Sequence, residues 1–221
     1  MSNVLSMPGA YYDALRRLTA EVSGITLDDD YKFTIETRLA VLARSEGFAS
    51  LIEMVQTMFK SGDARLAVKM VSAMMQRDTY FFKDKEGLLA LKETILPALY
   101  QTYKSDPIRV LLVGSNSGQE AYSTAILIDK LRKTIPDINV KLTAIDYASS
   151  ALERAMEGRY THFDVQRGLP IRDLVTYFTP HGEDWQVKDS LRQQINFKEM
   201  HLLKISQSLG CLLYTSDAAD D

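Results

Sequence analysis

The sequence offers almost no thiol chemistry: one cysteine, Cys211, in 221 residues. A single thiol closes no internal disulfide and fits a reducing compartment, so the expected location is the cytoplasm. Histidine is nearly as scarce. His162, His181 and His201 are scattered and show no metal-ligand spacing, which argues against a structural zinc site. Excess charge of either sign is also missing. The 26 basic and 29 acidic side chains leave a formal net charge of −3, with no footprint for a nucleic acid. No apolar run approaches the roughly 18 residues of a membrane span. Nothing near the N-terminus reads as a secretory signal, because the first periodic stretch is interrupted by Asp13, Arg16 and Arg17. The chain is expected to be neither nucleic-acid-binding nor membrane-inserted.

What is present is a helical part followed by an α/β part, in a chain that is 46 % hydrophobic and long enough for a substantial core. Leu15, Leu18 and Val22 keep a helical spacing that Gly24 ends. Ile35, Leu39 and Leu42 repeat it until Gly47. Ser50 and Glu53 form a capping-box signature ahead of Leu51, Val55 and Met58, and a fourth helix is expected from about Asp63 through Met74. The methionines at 54, 58, 70, 74 and 75 read as core filler between helices. A long helix is expected from Lys85 to Tyr103, bent or interrupted at Pro97.

The branched apolar run Ile108–Val113 reads as a buried strand. It ends in Gly114-Ser115-Asn116-Ser117-Gly118. A helix through Ala121, Ala125, Ile128 and Leu131 follows, then a second strand over Asn139–Ile145 closed by Asp146. Strand, glycine turn, helix, strand and acid make one βαβ unit of a parallel sheet, whose ligands sit beyond the carboxyl ends of the strands. A further helix is expected through Leu152 and Ala155 to Gly158, another over Ile171–Phe178, and short strands at Trp185–Val187 and Gln194–Phe197.

The turn narrows the ligand. A dinucleotide fingerprint wants a third glycine, a phosphate loop wants Lys-Ser/Thr after Gly118, and a hydrolase elbow wants serine where Asn116 stands. Glu120 follows instead. A carboxylate at a helix N-terminus opposes an anionic ligand and favours one carrying an ammonium or sulfonium group, and S-adenosylmethionine carries both. Asp146 is placed to accept from ribose hydroxyls. Each acid also has a plainer reading, Glu120 as a partner of the helix dipole and Asp146 as a cap for the next helix.

The strings Asp78-Thr79-Tyr80-Phe81-Phe82-Lys83-Asp84 and Gly114-Ser115-Asn116-Ser117-Gly118-Gln119-Glu120-Ala121-Tyr122-Ser123 resemble the chemotaxis receptor glutamate O-methyltransferases, the CheR family. Ordered landmarks extend the resemblance over nearly all of residues 11–203. It implies a small N-terminal all-α domain over residues 1–76 and a Rossmann-like S-adenosylmethionine-dependent methyltransferase domain over 77–210. It also implies that Thr79, Gly114, Glu120, Asp146, His201 and Leu202 contact the cofactor, and that Lys83 and Arg77 hold the acceptor. The implied reaction is attack of a glutamate carboxylate oxygen on the sulfonium methyl: the O–C bond forms, the C–S bond breaks, and S-adenosylhomocysteine leaves. The implied partner is the cytoplasmic helical region of methyl-accepting chemotaxis receptors, and basic residues such as Arg38, Arg44 and Lys69 are candidates for steering its acidic helices.

Among the departures from the family wording, Arg77 and His201 replace asparagines, Lys83 an arginine, Gln119 a glutamate and Ala121 a proline. Lysine keeps the charge of arginine without its planar fork. These changes also allow a catalytically degenerate module that binds cofactor or protein without turnover. After Leu203 the family would continue with an apolar strand and further strands of the sheet. Here Cys211–Asp221 reads like a translated transposase sequencing adaptor, a non-native tail. The expectation is a methyltransferase domain incomplete at its C-terminus, with no methyl transfer from residues 1–221 alone.

Overall fold

The computed structural model describes residues 7–75, 79–104, 106–147 and 149–200, and the strand Tyr214–Ser216. The chain divides into two compact units, one within Met1–Arg77 and the other starting at Asp78.

The first unit packs four helices: α1 (Gly9–Ser23), α2 (Lys32–Ser45), α3 (Leu51–Ser61) and α4 (Ala64–Met75). Gly24 and Gly62 end α1 and α3 in the left-handed conformation, as C-terminal glycines do. The Ser50 hydroxyl accepts from the Glu53 N–H at 3.1 Å, whereas the Glu53 carboxylate reaches the Ala49 N–H, one residue further out than a symmetric capping box. Asp63 accepts from the N–H groups of Arg65 and Leu66 and starts α4. Met54, Met58, Met70 and Met74 are buried, and they fill the core.

The most buried stripe of α1 is Tyr12, Leu15, Thr19 and Ser23, not the Leu15–Leu18–Val22 face. Thr19 and Ser23 are tolerated inside because each hydroxyl donates to the carbonyl four residues back, at 2.8 Å. All three basic steering candidates are engaged locally, Arg44 by donating to the Ala40 carbonyl one turn back at 3.2 Å. Arg38 donates to the Met74 carbonyl at the end of α4, and Lys69 pairs with Glu46 at 2.7 Å.

The second unit begins with α5 (Lys85–Ala90) and α6 (Leu96–Thr102), joined by a π turn over Leu91–Ile95. Pro97 lacks an N–H, follows this wider turn and stands in the first turn of α6, where a missing N–H is tolerated. The strands β1 (Ile108–Val113) and β2 (Val140–Asp146) pair in parallel, Ile108 with Val140 through Val113 with Ile145. Between them runs α7 (Gln119–Arg132). Then follow α8 (Ser149–Glu157), β3 (Arg159–Tyr160), α9 (His162–Gln166), α10 (Ile171–Tyr177), β4 (Phe178–His181), β5 (Asp184–Val187), α11 (Asp189–Arg192), β6 (Ile195–Glu199) and β7 (Tyr214–Ser216).

The parallel sheet has the order β6-β2-β1-β7, and β3, β5 and β4 form a separate antiparallel sheet. α7 packs against β2 and β6 and is buried along most of its length. Phe81, Tyr160 and Phe178 meet edge-to-face in the core, with ring centroids 5.0–6.4 Å apart. Segment 211–221, read from sequence as a non-native tail, supplies β7, which lies beside β1 with Val110 opposite Tyr214.

Candidate functional site

The glycine turn is built from the end of β2. Gly114 and Ser115 both donate to the Ile145 carbonyl at 3.0 Å, and Asn116 N–H donates to Asp146 Oδ2 at 2.9 Å. Asp146 is buried at 7 % exposure, and one side chain thus fixes the turn 30 residues upstream. An ionised carboxylate accepts several hydrogen bonds, so holding the turn and receiving ligand hydroxyls are compatible.

The two glycines serve different needs. Gly114 has φ +72°, and a Cβ built on it meets nothing within 4 Å, so the space beyond the end of β1 is open. Gly118 has φ +90°, and its Cβ would lie 2.9 Å from Ala155 Cβ and 3.1 Å from the Tyr160 hydroxyl. It is required for packing on α8, and Tyr160 completes the contact by donating to the Ser117 carbonyl at 2.6 Å.

The first turn of α7 separates two neighbouring side chains. Gln119 is buried and accepts from the Ser117 hydroxyl at 2.8 Å, so its departure from the family's glutamate lies inside the turn. Glu120 faces the other way. It is half-buried, and its carboxylate has no hydrogen bond or ion pair among the described residues. Burial pushes its pKa above the ordinary glutamate value, the Lys83 ammonium pulls it back, and Asp84 pushes it up again. Ser115 Oγ is likewise buried without a hydrogen-bond partner.

The segment Thr79–Asp84 brings Lys83 to this acid. Phe81 is fully buried and donates its N–H to the Arg167 carbonyl at 3.2 Å. The Arg167 guanidinium lies 5.1 Å from the Tyr80 ring and 5.5 Å from the Phe163 ring. Phe82 has φ +54°, a left-handed conformation that costs on the order of 1–3 kcal/mol outside glycine, and its N–H donates to Ser123 Oγ at 2.9 Å. Asp84 then caps α5 by accepting from the Gly87 N–H. Between these anchors Lys83 is exposed and makes no ion pair among the described residues.

Of the residues singled out from sequence, the structure brings Lys83 to Glu120 and Gly114 to Asp146. Thr79 is half-buried at the head of the same segment. Arg77, His201 and Leu202 lie outside the described residues. Sequence reasoning quoted Ser123 without giving it a role and passed over Arg167 and Gly168. Their signal is a contact across the fold.

An open strand end, a half-buried acid without a partner and an uncommitted lysine beside it suit a cationic ligand on one side and a carboxylate on the other. Among the described residues no group of three His, Cys, Asp or Glu could hold a metal ion, and no helix is long and apolar enough to cross a membrane.

Residues 77–211 match the CheR methyltransferase, SAM binding domain. Chemotaxis protein methyltransferase 1 of Pseudomonas aeruginosa is 30 % identical over 210 residues, which cover 93 % of this chain and 76 % of that protein. Chemotaxis protein methyltransferase Cher2 of Pseudomonas putida is 28 % identical over 203 residues, covering 90 % and 74 %. A chemotaxis protein methyltransferase of Vibrio parahaemolyticus is 29 % identical over 203 residues, covering 90 % and 73 %.

Proposed function

Since the chain belongs to the CheR methyltransferase family, we propose that it methylates glutamate side chains in the cytoplasmic helical region of methyl-accepting chemotaxis receptors. The cofactor is S-adenosylmethionine, which supplies an electrophilic methyl group on a sulfonium sulfur. One observation carries the site assignment: Glu120, half-buried, and Lys83, exposed, each without an ion pair among the described residues, come together at the start of α7.

In this reading Glu120 receives the positive end of the cofactor. Its raised pKa reflects a carboxylate stripped of water by burial and only partly offset by Lys83, and a cationic ligand would favour its ionised form. Asp146 accepts from the ribose while holding the turn, Gly114 leaves the strand end open, and Thr79 closes the site from its own segment. Arg77, His201 and Leu202 keep the roles that the resemblance implies.

Lys83 orients the acceptor carboxylate. A glutamate with an unperturbed pKa near 4.3 is ionised at neutral pH, so no general base is needed. The chain contributes positioning and a partly dry site in which opposite charges meet and become neutral products. The cytoplasm is the corresponding location.

Incubation of a full-length version with methyl-radiolabelled cofactor and receptor cytoplasmic fragments, followed by peptide mapping, tests this function. Base-labile label on glutamate is expected. Label elsewhere would give a different acceptor, and cofactor binding with no label on any receptor fragment would point to the degenerate module.

A further inference from the structure

Ser123 lies on α7, fully buried, one turn after the residue that faces the cofactor. Buried serines and threonines in helices commonly do no more than donate to the carbonyl four residues back, as Thr124 does to Glu120. Ser123 donates to the Gln119 carbonyl at 2.7 Å and, with the same oxygen, accepts from the Phe82 N–H at 2.9 Å, 41 residues away. That amide belongs to the non-glycine residue held at φ +54°, immediately before Lys83. On the other side of the segment, Gly168 presses so closely that a Cβ on it would stand 1.9 Å from the Phe81 carbonyl oxygen. Phe82 itself lies under Lys130, whose ammonium is 6.0 Å from the ring and paired with Asp173. The turn at Phe82 is therefore gripped from two sides; α7 covers its ring with Lys130, and holds its backbone through the Ser123 hydroxyl.

We infer that Ser123 is a positioning residue: its hydroxyl locks the left-handed turn at Phe82 onto the first turn of α7 and so fixes the distance between Lys83 and Glu120. The inference rests on the proposed roles of these two side chains. The lock registers the group that orients the acceptor against the group that receives the cofactor, although they come from separate segments. A slack turn leaves both side chains in place chemically and misplaces them relative to each other, and small misplacements of this kind cost up to about a hundredfold in rate.

The test follows the Glu120 carboxyl by NMR titration in the cofactor-free chain, in wild type, Ser123→Ala, Lys83→Ala and the double variant. Lys83→Ala is expected to raise the Glu120 midpoint by removing the neighbouring ammonium. Ser123→Ala is expected to raise it in the same direction and to speed hydrogen exchange at the Phe82 amide, while the amides of Val110–Leu112 stay protected. The double variant is expected to match Lys83→Ala alone. Ser123→Cys keeps the volume with a weaker acceptor and should show the same upward shift, which covers the case in which the alanine variant folds poorly. With methyl transfer as a second readout, Ser123→Ala should lower kcat about tenfold or more and leave the cofactor Kd within about threefold. An unchanged Glu120 midpoint in both Ser123 variants would overturn the inference alone. An unchanged midpoint in Lys83→Ala would overturn the pairing on which the proposed function stands, and the inference with it.

Discussion

The two sides of the site are held in opposite ways. On the β1–β2 side, the glycine turn is bonded to its own strand ends: three successive N–H groups find the Ile145 carbonyl and the Asp146 carboxylate. On the other side, Thr79–Asp84 has no ladder of its own and borrows its partners from α7, the Arg167 loop and the cap of α5. The polar groups of the first side largely serve the fold, whereas the second side carries Lys83, which makes no ion pair among the described residues. Bonds to its own strand ends hold the part proposed for the cofactor, and contacts borrowed from other elements hold the part proposed for the acceptor.

The widest gap should open between the two acids. Asp146→Ala removes the acceptor of a loop amide as well as the proposed ligand contact, and an unsatisfied buried N–H costs about 1–3 kcal/mol. It should weaken cofactor binding about a hundredfold and lower the melting temperature, read by calorimetric titration and thermal unfolding. Glu120→Ala should weaken binding about tenfold to a hundredfold, since a charged hydrogen bond contributes roughly 1.5–3 kcal/mol, with no loss of cofactor-free stability. Equal destabilisation by both variants would erase the contrast between an acid committed to the fold and one left for the ligand.

Lys83→Ala comes next. Steady-state kinetics should show kcat about tenfold lower with the cofactor Kd within about threefold, and Lys83→Arg should preserve or raise the rate by restoring a planar fork. An equal loss in Kd and kcat would place Lys83 on the cofactor instead.

The smallest effect is one of sign. Burial raises the Glu120 pKa in the folded chain, so its contribution to stability is present below the ordinary value of 4.5 and is lost as pH rises through the folded value. Glu120→Gln should therefore raise the melting temperature of the cofactor-free protein at neutral pH, and the gain should vanish in acid below 4.5. A variant less stable than wild type at neutral pH would mean that the carboxylate has a partner.

Much of this was legible in the sequence where local chemistry decides. Gly24 stops a helix, Asp63 starts one, and Ile108–Val113 is a strand because five branched apolar residues around Arg109, between Pro107 and a glycine, have few alternatives. Gly114, Glu120 and Asp146 could be named from residue type and spacing, and Lys83 from the family resemblance alone. The exceptions are set by distant contacts. Phe178 reads as the end of a helix, yet it opens β4 because β5 pairs with it. Pro97 announces an interruption, but only the fold shows that a π turn precedes it. Nothing local in Phe82 calls for a left-handed backbone, and nothing in Ser123 or Gly168 points to a segment so far away. Those features exist only once the chain has closed on itself.

The central claim is that Glu120 is the counter-charge of a cationic cofactor, and the pH dependence of S-adenosylmethionine binding tests it most directly. Titration calorimetry on the wild type and Glu120→Gln, from neutral pH downwards, should show wild-type affinity weakening through a midpoint above 4.5, while the glutamine variant binds weakly and loses that transition. Identical affinity profiles for the two proteins would contradict the account.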